Sequence, residues 1–205
     1  MFYGKEGYIM KTKIAITGGI GSGKSMVAAI LRQKGYSVYS CDEIYKEVIC
    51  SSSYVESVAK EFPTCVESGI VNRKALSDIV FNNPAKLNKL NAIAHPLIMK
   101  KLNAYMRHDV REFVFAEVPL LFENGFEKDF EKVLVVQRDR VQRMQSVLSR
   151  DNLSENEAIK RMNAQFGYDT LEGRAYIQKI GAYEIFNNST IEDLEVQIEK
   201  FLTQL

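Results

Sequence analysis

Apolar residues along the chain fall into a few short runs, separated by longer stretches with helical spacing. Lys13-Ile14-Ala15-Ile16-Thr17 is a β-rich run that stops at two glycines. Residues 24–34 then carry Val27, Ile30 and Leu31 on one helical face, with Gly35 as a stop signal. Ser37-Val38-Tyr39-Ser40-Cys41 resumes as a strand. Strand, glycine loop, helix and strand make a βαβ unit, which implies a parallel sheet. From Asp42 to Asp109 the pattern is mostly helical, punctuated by Pro63, Pro84 and Pro96. Phe113 to Val118 is the next strand, ended by Pro119. Lys132 to Val136 follows, nearly all apolar, as a strand covered on both faces should be. Residues 139–166 are helical and charged. A short piece, Glu184-Ile185-Phe186, precedes an amphipathic helix with Ile191, Leu194, Ile198 and Leu202 at helical spacing.

These elements predict an α/β fold with a parallel five-stranded sheet flanked by helices. The stretch between the second and third strands is too long for a simple crossover. It predicts a helical insertion, 42–109, in a core made of 12–41, 110–138 and 167–205. Residues 139–166 are assigned to a helical lid.

Composition narrows the class. The chain has 205 residues, 46% hydrophobic and 26% charged, as expected of a soluble globular protein. Its net charge of +1 argues against a nucleic-acid protein that works through bulk positive charge. No apolar run approaches the roughly 20 residues that span a bilayer; Glu117 interrupts the longest candidate, Phe113 to Phe122. The first residues, MFYGKEGYIMKTK, lack the apolar core of a signal peptide and read as a loose extension, with Met10 as a second candidate start. Cys41, Cys50 and Cys65 are odd in number, without a CxxC pair or a nearby histidine. They read as plain thiols in a reducing, cytoplasmic compartment.

The strongest local signal is Gly18-Gly19-Ile20-Gly21-Ser22-Gly23-Lys24-Ser25, which fits G-x-x-x-x-G-K-[ST] between a strand and a helix. Its glycines let backbone N–H groups point inward as a nest for phosphate oxygens. The helix start, from Lys24 through Met26, adds its partial positive charge. Lys24 reaches the β and γ phosphates, and Ser25 offers its hydroxyl to Mg²⁺, which prefers oxygen ligands. The loop predicts a P-loop NTPase fold with ATP and Mg²⁺ as cofactors. A GTPase would carry N-K-x-D; the nearest string, Asn88-Lys89-Leu90-Asn91, lacks the Asp. A short neutral chain with a helical insertion suits a small-molecule kinase better than a translocating ATPase. Asp42, at the end of the second strand, is placed to take a proton from an attacking hydroxyl, or to cap the following helix.

Further strings resemble the dephospho-CoA kinase family. Thr17 to Ser25 matches T-G-G-I-G-S-G-K-S. The family's D-A-D reads Ser40-Cys41-Asp42 here, keeping the second Asp and replacing the first. Gly69, Arg73 and Leu76 match G-x-x-x-R-x-x-L. Leu90 to Pro96 matches L-x-x-I-x-H-P, and Pro119 to Glu123 is an intact P-L-L-F-E. Arg150-Asp151 matches R-D, and Arg161 to Gln165 matches R-x-x-x-Q. The ending V-I-x-N-N-G appears as Glu184 to Ser189. The resemblance runs from about residue 12 to the C-terminus.

That resemblance implies transfer of the γ-phosphate of ATP to the ribose 3′-hydroxyl of dephospho-CoA, giving coenzyme A. It implies Asp42 as catalytic carboxylate and Arg73, His95 and Arg161 near the acceptor. His95 could instead cap before Pro96, and Arg73 could pair with a surface acid. Thr17 touches phosphate or Asp42, or merely ends its strand. Glu117 holds a metal-bound water, or faces solvent. Asn187 and Asn188 sit where similar folds bind adenine, or form a turn. The family arginine four residues before R-D is Ser146 here. Arg143, on the same helix face, could substitute, and Arg138, Arg140 and Arg150 are further candidates; the bland alternative is a solvated helix face. Phe62 and Tyr45 read as core rather than acceptor contacts. The expected partners are ATP and dephospho-CoA, with no nucleic acid or membrane, in a monomer or weak homo-oligomer. Two other readings stand: another P-loop small-molecule or nucleoside-monophosphate kinase, and a nucleotide-binding regulator without catalysis.

Overall fold

The run Ile14-Ala15-Ile16 has no exposed surface, as a strand at the centre of a parallel sheet requires. The computed structural model describes residues 11–81, 83–151 and 153–205. Residues 1–10, and with them the choice between Met1 and Met10, lie outside the described residues. In chain order, β1 (Thr12–Thr17) leads to α1 (Lys24–Gln33) and β2 (Ser37–Ser40). Next come α2 (Cys41–Val48), α3 (Ser52–Glu61), β3 (Val66–Glu67), β4 (Ile70–Val71), α4 (Arg73–Phe81) and α5 (Pro84–His108). The chain then runs through β5 (Phe113–Glu117), β6 (Lys132–Gln137), α6 (Arg140–Asp151) and α7 (Glu155–Asn163). It ends with α8 (Leu171–Lys179), β7 (Tyr183–Phe186) and α9 (Ile191–Leu202).

The strands form the parallel five-stranded sheet that the sequence predicts, in the order β2-β5-β1-β6-β7. Central β1 pairs in parallel with β5 and β6, and β6 with β7. Side chains alternate across such a sheet. Ile14, Ile16, Phe115 and Leu134 face one layer, where Val27 and Leu31 of α1 meet Leu194 and Ile198 of α9 in one core. Phe115 is its aromatic centre, 5.4 Å from Tyr36 and 6.5 Å from Phe201 between ring centroids. The alternate positions Ala15, Thr17 and Val135 point to the opposite layer. Tyr168 of that layer meets Thr17 there.

Chain contacts divide the protein into two units. One takes the described residues up to Val38 together with Asp109–Leu205, residues 139–166 included. The other is Tyr39–His108. Among the described residues no helix is long and apolar enough to cross a membrane.

The second unit departs from its helical reading in two places. Val66–Glu67 and Ile70–Val71 form a small antiparallel hairpin. Its two-residue turn, Ser68-Gly69, has φ of 50° and 76°. Positive φ at both central turn positions suits the twist of a hairpin, and glycine adopts it without steric cost. Pro96 does not punctuate: α5 continues through it. A proline inside a helix forfeits the bond to the carbonyl four residues earlier. That carbonyl belongs to Ala92, and both residues lie on the exposed side. His95 is therefore a mid-helix residue, and the capping alternative falls.

Replacing Phe115 by Ala is expected to destabilise the protein by about 3–5 kcal/mol. Urea unfolding followed by circular dichroism would measure the shift.

Candidate active site

The phosphate loop is built where β1 runs out and α1 begins. Gly23 precedes α1 with φ 97°, and no side chain caps the helix. That φ favours glycine. A Cβ there would also collide with the Asn187 amide nitrogen. Asn187 is buried just past β7, and its Nδ2 donates to the Ser22 carbonyl at 2.9 Å. Whatever the backbone turn there, the Asn187 amide braces the loop from behind. Asn188 ties the turn into α6 to the same corner, since its Oδ1 accepts from the Asp139 N–H at 2.8 Å. An uncapped helix start with such a loop is an anion site.

Lys24 is almost buried, and its ammonium donates to the carbonyls of Gly18 and Gly19 at 2.8 and 3.1 Å. It is thereby held along the loop. Ser25 Oγ donates to Glu117 Oε1 at 2.9 Å. Glu117 is 8% exposed, which overturns the solvent-facing alternative. It points to the α1 layer, as alternation along β5 dictates. Among the described residues no three His, Cys, Asp or Glu side chains gather into a metal site. A hydroxyl and a single carboxylate suit a hard cation whose remaining ligands are phosphate oxygens and water.

Helix α6 lies directly on the loop. Arg143, 4% exposed, is not on a solvated helix face. A Cβ on Gly19 would collide with its Nη1, and one on Gly21 would come 2.5 Å from its carbonyl oxygen. Burial pulls the Arg143 guanidinium below the ordinary arginine value, while Asp169 opposes the shift. Its Nη2 bonds to Asp169, but Nε is buried without a partner. Ser22 Oγ, in the loop itself, is likewise buried and unpartnered. Unsatisfied buried polar atoms are costly, and two of them at one loop make it a candidate for a ligand that completes them. Arg138 donates from Nη1 to the Gly21 carbonyl at 3.3 Å and to Ser146 Oγ at 2.9 Å. Ser146, where the family has arginine, thus anchors a different arginine on the loop.

Two residues outside the predicted site, Gln165 and Tyr168, meet the loop from the segment after α7, and a third, Asp169, reaches it through Arg143. Gln165 Oε1 accepts from the Ile20 N–H at 2.6 Å. Tyr168 OH lies 3.0 Å from Thr17 Oγ1, both fully or nearly buried. Burial pushes the Tyr168 phenol well above its ordinary value, so it stays neutral. The P-L-L-F-E string holds this segment: Glu123 Oε1 accepts from the Phe166 N–H at 2.7 Å, and Phe122 packs on Phe166 at 4.7 Å. Gln165 had a signal in R-x-x-x-Q; Tyr168 and Asp169 had none.

Other sequence candidates lie elsewhere. Arg150 and Arg161 both pair with Asp151, at 2.7 and 3.4 Å. Met26, in the first turn of α1, is exposed. In the unit Tyr39–His108, Ser40 caps α2, accepting from the Glu43 N–H at 3.4 Å. Asp42 is therefore not the cap but an exposed first-turn residue. This unit also holds a cavity of about 510 Å³ lined by Tyr45, Cys50, Tyr54, Arg73 and Leu76 among others. Tyr45 thus lines a cavity rather than a core, whereas Phe62 is buried as expected. His95 is half-buried on α5. In the sheet unit, a cavity of about 440 Å³ is bordered by Arg138, Arg140, Asp169, Phe186 and Asn188.

A model of the dephospho-CoA kinase family matches residues 12–191. A dephospho-CoA kinase from Fusobacterium nucleatum is 35% identical over 190 residues, covering 92% of this chain and 95% of that protein. A crystal structure from Thermus thermophilus is similar with a TM-score of 0.79 at 33% identity, over 96% of this chain and 98% of that one. A dephospho-CoA kinase from Campylobacter jejuni is similar with a TM-score of 0.66 at 26% identity, over 95% and 97% of the two chains.

Replacing Asn187 by Ala removes one buried hydrogen bond behind the loop. The dissociation constant for ATP is expected to rise about fivefold, read by calorimetric titration.

Proposed function

Because the chain belongs to the dephospho-CoA kinase family, and so phosphorylates dephospho-CoA with ATP, we propose the following division of labour among its residues. The loop from Gly19 to Gly23, with Lys24 and the N–H groups at Ser25 and Met26, holds the triphosphate. Lys24 swings from the loop carbonyls to the β and γ phosphates. Adenine occupies the cavity beside Asn188 and Phe186, and Asn187 secures the loop beneath it. Arg143 meets the transferring phosphoryl group, and Arg150 joins the nucleotide side when the lid closes. Excluding water there prevents wasteful hydrolysis.

Ser25 and Glu117 fit Mg²⁺, which when bound neutralises charge on the phosphate oxygens. Their mutual hydrogen bond keeps both oxygens at one place. Thr17 fixes the loop's first turn. Asp42 accepts the proton of the 3′-hydroxyl as it attacks. Arg73, His95 and Arg161 serve the acceptor. The cavity beside Arg73 supports this reading, since it pairs an apolar wall with one cation, as a ligand with an aliphatic arm and phosphate groups needs. ATP as donor supports a cytoplasmic location.

The observation that carries the site assignment is the buried Arg143 guanidinium, lying on bare loop backbone with its Nε unpartnered. A cation held there by the fold can stabilise charge spread over the transferring group without further reorganisation.

A coupled assay of ADP release with dephospho-CoA tests the scheme. Asp42→Asn is expected to lower kcat about 100-fold or more with ATP binding retained. Equal turnover by wild type and Asp42→Asn would remove Asp42 from the role of base.

A further inference from the structure

The arginine assigned to the transferring phosphate is not held by its own helix. Its guanidinium reaches across to Asp169, in the segment between α7 and α8. The same carboxylate lies 3.7 Å from Nη1 of Arg140, which is half exposed. One acid thus stands between two cations, and the buried one takes the closer contact. Arg143 and Arg140 repel each other. Without the carboxylate, Arg143 would be a buried charge with no counter-charge in direct contact, which is costly.

The carboxylate is itself held on both sides. Tyr168, next in the chain, is 2% exposed and bonded to Thr17 at the loop's entrance. Gln165 bonds to the Ile20 N–H inside the loop. The Gly167 carbonyl accepts from the Thr170 N–H and hydroxyl, both at 2.9 Å, which turns the segment back toward α8. Phe122, Phe166 and Tyr168 form an aromatic wedge beneath it. Loop, Arg143 and Asp169 are therefore parts of one braced arrangement, not three separate contacts.

We infer that Asp169 is a positioning residue for phosphoryl transfer: its carboxylate holds the Arg143 guanidinium flat against Gly19, and Tyr168 and Gln165 hold the carboxylate's own segment on the loop. Asp169 does not touch the reacting atoms. It acts through Arg143, and the inference rests on the reading of Arg143 given above. Replacing the carboxylate by an amide keeps the shape and removes the charge. Arg143 is then free to turn toward solvent, while the loop N–H groups and Lys24 still bind the triphosphate.

The test is a double-mutant cycle on the full chain, with Arg143→Ala, Asp169→Asn and the pair, assayed with ATP and dephospho-CoA. Asp169→Asn is expected to lower kcat about tenfold or more, with KM for ATP changed less than about twofold. In the Arg143→Ala background, Asp169→Asn should cost nothing further in kcat, because the group it positions is gone. Asp169→Glu, which keeps the charge, should recover part of the rate. Losses that multiply in the double variant would overturn the inference and leave Asp169 a merely structural acid. If Arg143→Ala slows turnover but Asp169→Asn does not, the inference falls and the Arg143 reading stands. Unchanged turnover in Arg143→Ala would overturn both. Should Asp169→Asn fold poorly by its thermal midpoint, the same cycle is run with Asp169→Glu, and multiplying losses there overturn the inference equally.

Discussion

A Cβ on Gly19 or Gly21 would strike Arg143, so the first turn of α6 and the phosphate loop are in backbone contact. Much of the nucleotide unit is arranged to allow that approach. The loop must be bare on its outer side for the arginine. It must also be bare on its inner side, at Gly23, where the Asn187 amide presses from behind. A loop so enclosed is braced on both sides, as the phosphate-holding role proposed for it needs. Preorganised donors lose little on binding, which is why such loops are effective anion sites.

Close packing of polar groups carries a cost that the surroundings offset. Burial strips much of the hydration from Arg143, and the facing Asp169 offsets part of that cost. Lys24 is buried and satisfies its ammonium on carbonyls of its own loop. Among the described residues three buried side-chain atoms remain without partners, Arg143 Nε, Ser22 Oγ and Glu127 Oε2. The first two belong to the cradle rather than to the apolar layer under the sheet. Cores such as Phe115 with Leu31 and Ile198 provide the net stability that lets the site keep unsatisfied groups.

Much of the fold was legible because parallel strands buried on both faces read as apolar runs. Ile14 to Ile16 and Val133 to Val136 could hardly be anything else. The hairpin at Val66–Val71 was missed because two-residue strands carry almost no pattern. Its Ser68-Gly69 turn was the one available clue. Pro96 misled as a stop signal, since an exposed proline in a long helix loses one hydrogen bond that water replaces. Asp42 was read as base or cap, and the cap proved to be Ser40 two positions earlier. Helix starts are uncertain by a residue or two from sequence, and a capping serine looks like any other serine until its Oγ meets the third N–H ahead.

The sequence by itself determined the sheet, the phosphate loop and the family. Each is written in contiguous residues whose spacing follows local backbone geometry. It also named Lys24, Ser25, Glu117 and Arg143, but left the last two with solvent-facing alternatives. Tertiary structure decided those by bringing Ser25 to Glu117, 92 positions apart, and Arg143 to Asp169, 26 apart. The Tyr168 to Thr17 contact spans 151 positions. No local pattern encodes such pairs. They follow from the order of strands in the sheet and from which layer each alternating side chain faces, and those are properties of the folded chain as a whole.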